Sequence, residues 1–383
     1  MSKKTGLFSL LIPDGETWET VKVLRCLSQA PGIRASVLSR SRIALSRFSR
    51  HCARLHLYDG KTDKQWLDAV GSVIKKEKID VVLPVIKRGV EFVVRNRDEI
   101  EGMTAVVALP NAETLELLLD KWSSNDFAQR LGLPVAASIY LGRWARQAVA
   151  PDEADEFIYP AVLKPTSLSG GSGIIKLNSS SDFHRVWRSG NGLAVGERYI
   201  LQSFINGEDC CLGVFCRRGK ILAYTIQRSA MSSEAYFGPQ RVMQFVEDRQ
   251  LLGLGEKLLS ALNYEGIAFV DFRIDGTDRS CKFIEVNPRF GQAILGSLAA
   301  GVNFPLLWCL DAIGKPLPKV TYRPTSYAHP AAFVKMKLQR LLGRQSPVAL
   351  GWRQSGLRFT FNDPLPEVID VLKRVLRLPK PTY

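Results

Sequence analysis

Short apolar runs and longer stretches of helical period alternate along the first 112 residues. "LFSLLIP", "TWETVKVLRCLSQA" and "IRASVLSR" read as strand, helix and strand. "WLDAVGSVIKKEKI" then "DVVLPVI", and "GVEFVVRNRDEI" then "TAVVALP", repeat the unit. Repeated βαβ units predict a parallel sheet with helices on its faces, because a parallel connection needs a crossover. The first turn, "PDGETWET", lacks the GxGxxG spacing of a dinucleotide fingerprint. Asp14 to Thr17 still lie beyond the carboxyl end of the first strand, where such sheets bind ligands. Both a substrate contact and a helix capped at or near Thr17 fit that stretch.

From "NAETLELLLDKWSSNDFAQRLGLPVAAS" onward the texture changes. One or two helices end at a Gly–Leu–Pro break. Short strands follow in "AVLKPTS", "SGIIKLN", "YILQSFI" and "CCLGVFCRRGKILAYTIQ". "EDRQLLGLGEKLLSALN" and "GQAILGSLAAGVNFPLLWCLDAI" read as helix, with two apolar strand-like runs, "IAFVDFRI" and "CKFIEVNP", between them. The fold class expected is therefore α/β followed by α+β, with no internal repeat and no low-complexity tract.

Each of those last two runs carries a carboxylate, Asp271 and Glu285, in a pattern that otherwise says core. A buried, unpaired carboxylate is expensive, so a cation must stand opposite. If the two strands pair as a hairpin through "DGTDRS", Asp271, Glu285 and Asn287 converge on one face, since residues two apart on a strand point the same way. Arg289 extends that side. Hard oxygen donors without His or Cys select Mg²⁺, which shares its shell with phosphates and water.

Three further stretches carry candidate chemistry. In "YPAVLKPTSLSGGSGIIKL", Lys164 ends an apolar strand and precedes a loop of small residues whose N–H groups can approach a phosphate closely. Lys121, in "LLLDKWSS", is a second cation beside a helix. In "YILQSFINGEDCCLGV", Gln202, Ser203, Phe204 and Ile205 offer backbone and apolar surface to a flat ring, and a carboxylate follows at Glu208 or Asp209. A solvated helix lysine, a mobile Gly/Ser loop and a plain β-turn are the alternatives for each stretch alone.

Taken in order, Lys121, Lys164, the Gly-rich loop, "QSFINGED", Asp271, Glu285-x-Asn287 and Arg289 resemble the ATP-grasp superfamily. The likeness is greatest to its carboxylate–amine ligases, with biotin carboxylase and the carbamoyl phosphate synthetase large chain among the relatives. "FIEVNPRFGQ" after "FVDF" is the most specific part; "SRFSRHC" is also similar to that family's amino-terminal domain. The resemblance covers residues 1 to about 315. It implies a Rossmann-like pre-ATP-grasp domain (1–112), a two-lobed ATP-grasp domain (113–197 and 198–318) and a basic carboxyl-terminal extension (319–383).

The same resemblance implies roles. Lys121 and Lys164 would hold ATP phosphates under a loop that includes Ser169, Gly170, Gly171 and Ser172. Gln202 to Ile205 would cup the adenine, with Gln202 standing where many relatives have Glu, and Glu208, or Asp209 in its place, would take the ribose. Asp271, Glu285 and Asn287 would hold one or two Mg²⁺, Mn²⁺ being able to substitute. Arg289 and Lys164 would act on an acyl phosphate made from a substrate carboxylate and then consumed by an amine or thiol. Arg228 and Arg241 border "QRSAMSSEAYFGPQ" (227–240), where relatives carry substrate contacts, and are the candidate substrate anchors. The four histidines, 51, 56, 184 and 329, fall outside these motifs, as a route without a histidine base expects. Homodimers are common among the relatives.

Charge adds one more expectation. Lysine and arginine number 52 against 37 acids, a formal +15. Residues 319–383 carry +9 of it and the first 60 residues +6. The balance suits an anionic partner. The segments "PAAFVKMKLQRLLGRQ" and "PLPEVIDVLKRVLRLPKP" read as basic amphipathic helices. In the second, Val368, Leu372, Val375 and Leu376 share a face, with Lys373, Arg374, Arg377 and Lys380 mostly elsewhere. Packing on the body with solvated cations, and contact with an anionic membrane or lipid-linked substrate, are both open. Nucleic acid is not expected, because no binding motif or aromatic–basic interleaving occurs. Seven cysteines without CxxC or His/Cys ligand spacing read as reduced thiols of a cytosolic protein. "MSKKTGLFSLLIPDGE" is broken by Pro13 and too short to span a membrane.

Overall fold

The computed structural model describes residues 8–146, 149, 151–168, 170–230, 241–342 and 350–376. Among them the strands assemble into three sheets. The first contains β1 (Phe8–Ile12), β2 (Ile33–Ser39), β3 (Cys52–Leu57), β4 (Val81–Val82) and β5 (Ala105–Val106). All pairs are parallel, in the order β3-β2-β1-β4-β5. β1 is buried at every position because helices cover both faces. The helix Asp63–Glu77 starts on a Thr62–Gln65 capping box and sends Trp66 into the core, where its ring stacks 3.9 Å from Phe92.

Three details differ from the sequence pattern. β3 was not expected; it is an edge strand whose "CARLHL" has no apolar run to find. β4 is only two residues long, since Pro84 has no N–H to continue the ladder. The segment "GVEFVVRNRDEI" forms two helices, Lys87–Arg95 and Arg97–Glu101. Thr17 does stand at the cap position of the helix Trp18–Leu27, but its side chain makes no cap hydrogen bond. Asp14, nearby, is buried instead. Its carboxylate accepts from the N–H groups of Val85 and Ile86 at 2.7–3.1 Å and so ties β1 to the start of the helix Lys87–Arg95. Burial pushes that carboxyl up to about 7, against the two backbone bonds.

Helices Ala112–Leu119 and Lys121–Arg130 follow, separated at Asp120, whose side chain accepts from Ser123 N–H and caps the second. The next sheet contains β6 (Ser138–Arg143), β7 (Ala161–Pro165), β8 (Ile175–Leu177) and β9 (Arg198–Ser203), in the antiparallel order β6-β9-β7-β8. The helix Ser180–Ser189 packs Phe183 and Trp187 beneath it.

The third and largest sheet contains β10 (Gly207–Arg217), β11 (Lys220–Ser229), β12 (Val242–Val246), β13 (Gly266–Asp275), β14 (Cys281–Asn287) and β15 (Thr325–Ala328). Its order is β14-β13-β10-β11-β12-β15, antiparallel throughout. The helix Arg249–Ala261 covers one face. Helices Ile294–Ala299 and Phe304–Ala312 pack toward the first sheet, separated at Gly301, whose φ of 97° ends the first. β12 and β15 were not expected, and β15 lies within the segment read as an extension beginning at 319. Helices Pro330–Leu341, Leu357–Asn362 and Leu365–Val375 complete the described chain.

Candidate active site

The hairpin β13–β14 places Asp271 directly opposite Glu285, and Phe269 opposite Asn287. The Asn287 amide N–H group donates to Asp271 Oδ2 at 2.9 Å and to Glu285 Oε1 at 3.0 Å. Arg289 donates from Nη2 to Asn287 Oδ1 at 3.0 Å. The four side chains therefore form one connected group. Lys121, 8% exposed, enters from the start of its helix, with Nζ 3.3 Å from Glu285 Oε2. Burial pushes the Glu285 carboxyl up, but Lys121, the Asn287 hydrogen bond and Lys164 outweigh it and hold it below the ordinary carboxylate value. Asp271 lacks such a lysine. Burial and the Glu285 charge push it up.

Lys164 comes from β7 in the other sheet and is 4% exposed. Its Nζ donates to Gln202 Oε1 at 2.8 Å. Gln202 in turn donates to Ser138 Oγ at 2.8 Å and Asn125 Oδ1 at 3.4 Å, and Asn125 donates to Ile284 O at 2.9 Å. A buried polar chain thus runs from Lys164 to the backbone beside Glu285. The partner nearest Lys164 is a neutral amide, so burial brings its ammonium down to about 8, partly offset by Glu285. The loop after β7 is held by Lys121 Nζ on Leu168 O and by Lys87 Nζ on Ser167 O at 3.1 Å. Gly170, Gly171 and Gly173 all have φ of 68–78°, a conformation that side chains disfavour.

A cleft of about 310 Å³ opens here between the four- and six-stranded sheets, the size range of small-ligand sites. Gly170, Gly171, Ser172, Gln202, Ser203, Phe204 and Ile205 share its wall with Lys121, Lys164, Asp271, Glu285, Asn287 and Arg289. Two carboxylates and an amide oxygen are too few ligands for a self-sufficient divalent site; no group of three or more His, Cys, Asp or Glu suited to a metal occurs among the described residues. That donor set fits Mg²⁺, which completes its shell with phosphate and water.

A family comparison assigns the stretch. Residues 119–293 match the ATP-grasp domain. Over that stretch, a little under half of the chain, it resembles an ATP-grasp domain. The carbamoyl phosphate synthase large chain of Methanothermobacter thermautotrophicus is 22% identical over 299 residues, 71% of this chain but 27% of that protein. The chain thus spans about a quarter of that relative's length. The fold is shared with the biotin carboxylase domain of Hydrogenobacter thermophilus 2-oxoglutarate carboxylase. That structure, a dimer with MgADP, ADP and bicarbonate, matches at TM-score 0.64 and 17% identity, covering 84% of this chain and 74% of that one. It is also shared with an L-amino acid ligase from Bacillus licheniformis, at TM-score 0.62 and 15% identity, covering 85% and 80%.

Other expected positions in the ATP-grasp domain need correction. Glu208 does not line the cleft; Asp209 does. β10 begins at Gly207, so the two acids point to opposite faces. Asp209 pairs with Arg273 Nε at 3.3 Å. Arg228 is likewise on the far face, where Nη2 meets Asp248 Oδ2 at 2.6 Å, and its neighbour Gln227 lines the cleft. Arg241 is exposed and absent from the lining. Its carbonyl accepts from His329 N–H. Gln202 lines the cleft and also accepts from Lys164, so exchanging Glu for Gln there touches a cation first. Ser169, and residues 231–240 of the expected substrate loop, lie outside the described residues.

The pattern also missed residues. Cys211 on β10 pairs in register with Asp271, and its thiol hydrogen-bonds that carboxyl; burial pushes the thiol well up. Arg273, together with Lys176, lies over the Phe204 ring, at 5.7 and 3.9 Å. Period two along β13 could have placed Arg273 beside Asp271, whereas Cys211 needed the strand partner. None of the four histidines lines the cleft, and all seven cysteines are unpaired.

Proposed function

We propose that this chain is an ATP-dependent carboxylate–amine ligase that activates an acid as its acyl phosphate and releases ADP and phosphate. The observation that carries the reading is the convergence of Lys121, Lys164, Asp271, Glu285, Asn287 and Arg289 on one cleft, two of the cations coming from outside the acidic hairpin. The MgADP of the carboxylase relative and the acid substrate of the amino acid ligase support it.

When bound, MgATP supplies the phosphoryl group and part of the charge that offsets repulsion between two anions. Asp271 and Glu285 would hold the metal, joined by Asn287 once its amide, whose N–H group faces the two carboxylates, presents its oxygen instead. Lys121 and Lys164 take the phosphates, and the 167–173 loop covers them. Phe204 and Ile205 pack the base, and Asp209 accepts from the ribose. Arg289 reaches the transferring group, and a positioned amine then displaces phosphate from the acyl carbon. Such a route rests on positioning and electrostatics and needs no protein nucleophile. A homodimer, as in the carboxylase relative, belongs to the same proposal.

The test is ADP release across a panel of acids and amines, with product masses and hydroxamate trapping of the activated acyl group. ADP that depends on both an acid and an amine, and that Glu285→Gln lowers about 10²–10³-fold, is the expected result. Turnover that Glu285→Gln leaves undiminished removes the proposal. A second reading, carboxylation with bicarbonate as the acid, is favoured by the bicarbonate in the carboxylase relative; ADP release that requires bicarbonate alone would select it.

A further inference from the structure

The helix Leu365–Val375 is mounted inside out. At 100° per residue, Leu365, Val368, Val371, Leu372, Val375 and Leu376 fall within an arc of about 140°. Each of the six is between 47% and 72% exposed. The polar side faces the body. Arg25 donates to both carboxylate oxygens of Glu367, at 2.8 and 2.7 Å, and from Nε to Asp363 Oδ2 at 3.2 Å. Asp363, 1% exposed, also accepts from Ser49 Oγ at 2.9 Å and Arg50 N at 2.8 Å. Lys373 Nζ donates to Ile43 O. Apolar side chains could have filled that interface; charge holds it instead and leaves the apolar stripe outward.

The segment under the helix is cationic. Arg40, Arg42, Arg47 and Arg50 are all exposed, and no acid occurs between residues 40 and 50. The sequence places its whole formal excess at the two ends, +6 in the first 60 residues and +9 in 319–383, and the helix meets the first of these through Arg25, Ile43, Ser49 and Arg50. Glu367 and Asp363 are engaged with Arg25, and Asp370 with Arg374. Trp352 and Phe361, 48% and 70% exposed with ring centroids 5.1 Å apart, add aromatic surface nearby in the chain.

We propose that this face, the outward stripe of helix Leu365–Val375 with the arginines of residues 40–50, docks the protein on the surface of an anionic phospholipid bilayer. A contiguous exposed apolar stripe rimmed by polar residues marks a binding surface. An amphipathic helix lying in the interface buries its apolar side among acyl chains while neighbouring cations meet acidic headgroups. No helix among the described residues is long and apolar enough to cross a membrane, so the contact is peripheral. A second copy is a poorer occupant, because two-fold pairing through this face would set arginines against arginines. Neither the cleft nor the proposed reaction enters this argument.

The test is sedimentation of the full chain with vesicles of phosphatidylcholine alone and with one-third phosphatidylglycerol. Binding to the anionic vesicles, weakened in roughly 0.5 M salt, is the expected result. The doubly substituted Val368→Glu, Leu372→Glu chain should lose it with an unchanged melting temperature. Arg42→Ser, Arg47→Ser should weaken it about thirtyfold, and serves as the variant if the first does not fold. No binding to anionic vesicles, equal binding to neutral ones, or undiminished binding by both variants overturns the proposal. So does a dimer that the glutamates convert to monomer without any vesicle binding, which would assign the stripe to a second copy.

Discussion

The cleft and the helix Leu365–Val375 break the usual partition of side chains in opposite directions. In the cleft, charge is drawn in. Lys164 and Lys121 are almost fully buried, and Asp271 and Glu285 lie opposed on adjacent strands. On the helix, apolar side chains are turned out and the charged edge is sealed against Arg25. Each departure is costly alone, and each calls for a partner of matching character: divalent cation and phosphate in the first case, an apolar phase in the second. The cleft solves most of its problem internally through the Lys121–Glu285 and Lys164–Gln202 contacts. The helix solves only the inner half.

Four experiments would break or sharpen that contrast. Asp363→Ala leaves Arg25 with half its buried partners and should destabilise the chain by about 3–5 kcal/mol, read as a lower midpoint in denaturant; a loss below 1 kcal/mol would mean that charge does not hold the helix. Glu285→Gln should lower ADP release about 10²–10³-fold; relief of the charge beside Asp271 offsets part of the cost of leaving Lys121 without its carboxylate.

Gln202→Glu gives Lys164 a charged neighbour. The wild-type ammonium, brought to about 8 by burial, is protonated below that pH and lost above it. If its charge is needed, activity falls as pH rises through 8. The variant should move that alkaline limb upward by about one unit, a tenfold gain at the high end, and an unmoved limb would detach the limb from Lys164. The smallest effect belongs to Val368→Ser with Leu372→Ser. Removing apolar side chains that already face outward should change stability by no more than about 0.5 kcal/mol, whereas Leu163→Ser in β7 should cost several times that.

Much of the site was legible because its residues are local to two motifs. Glu285 and Asn287 are spaced two apart on one strand and Asp271 is one short hairpin away, so strand periodicity puts them together, and Arg289 follows just past the strand end. Lys164 and the glycines follow one another directly. Two of the errors share a cause. Choosing Glu208 over Asp209 and Arg228 over Gln227 is a choice of strand phase, and a slip of one residue exchanges the faces. Composition does not set that phase. Strands β3 and β15 lack an apolar run because they lie at sheet edges, whereas β12, inside its sheet, is only five residues long and is interrupted by exposed Gln244. The helix Leu365–Val375 was read correctly as amphipathic, but amphipathicity does not say which side faces the body.

What the chain order determined by itself is the inventory: parallel α/β units first, antiparallel strands after, an acidic hairpin with its asparagine and arginine, two lysines upstream, and two basic ends. Those are properties of periodicity and spacing, which local backbone geometry enforces. Tertiary structure alone decided the pairings across distance: Cys211 beside Asp271, Gln202 against Lys164, and Arg25 on Asp363, 338 residues away. Such contacts are selected by the packing of whole sheets and by the cost of leaving a buried charge unmatched, and no local pattern encodes either.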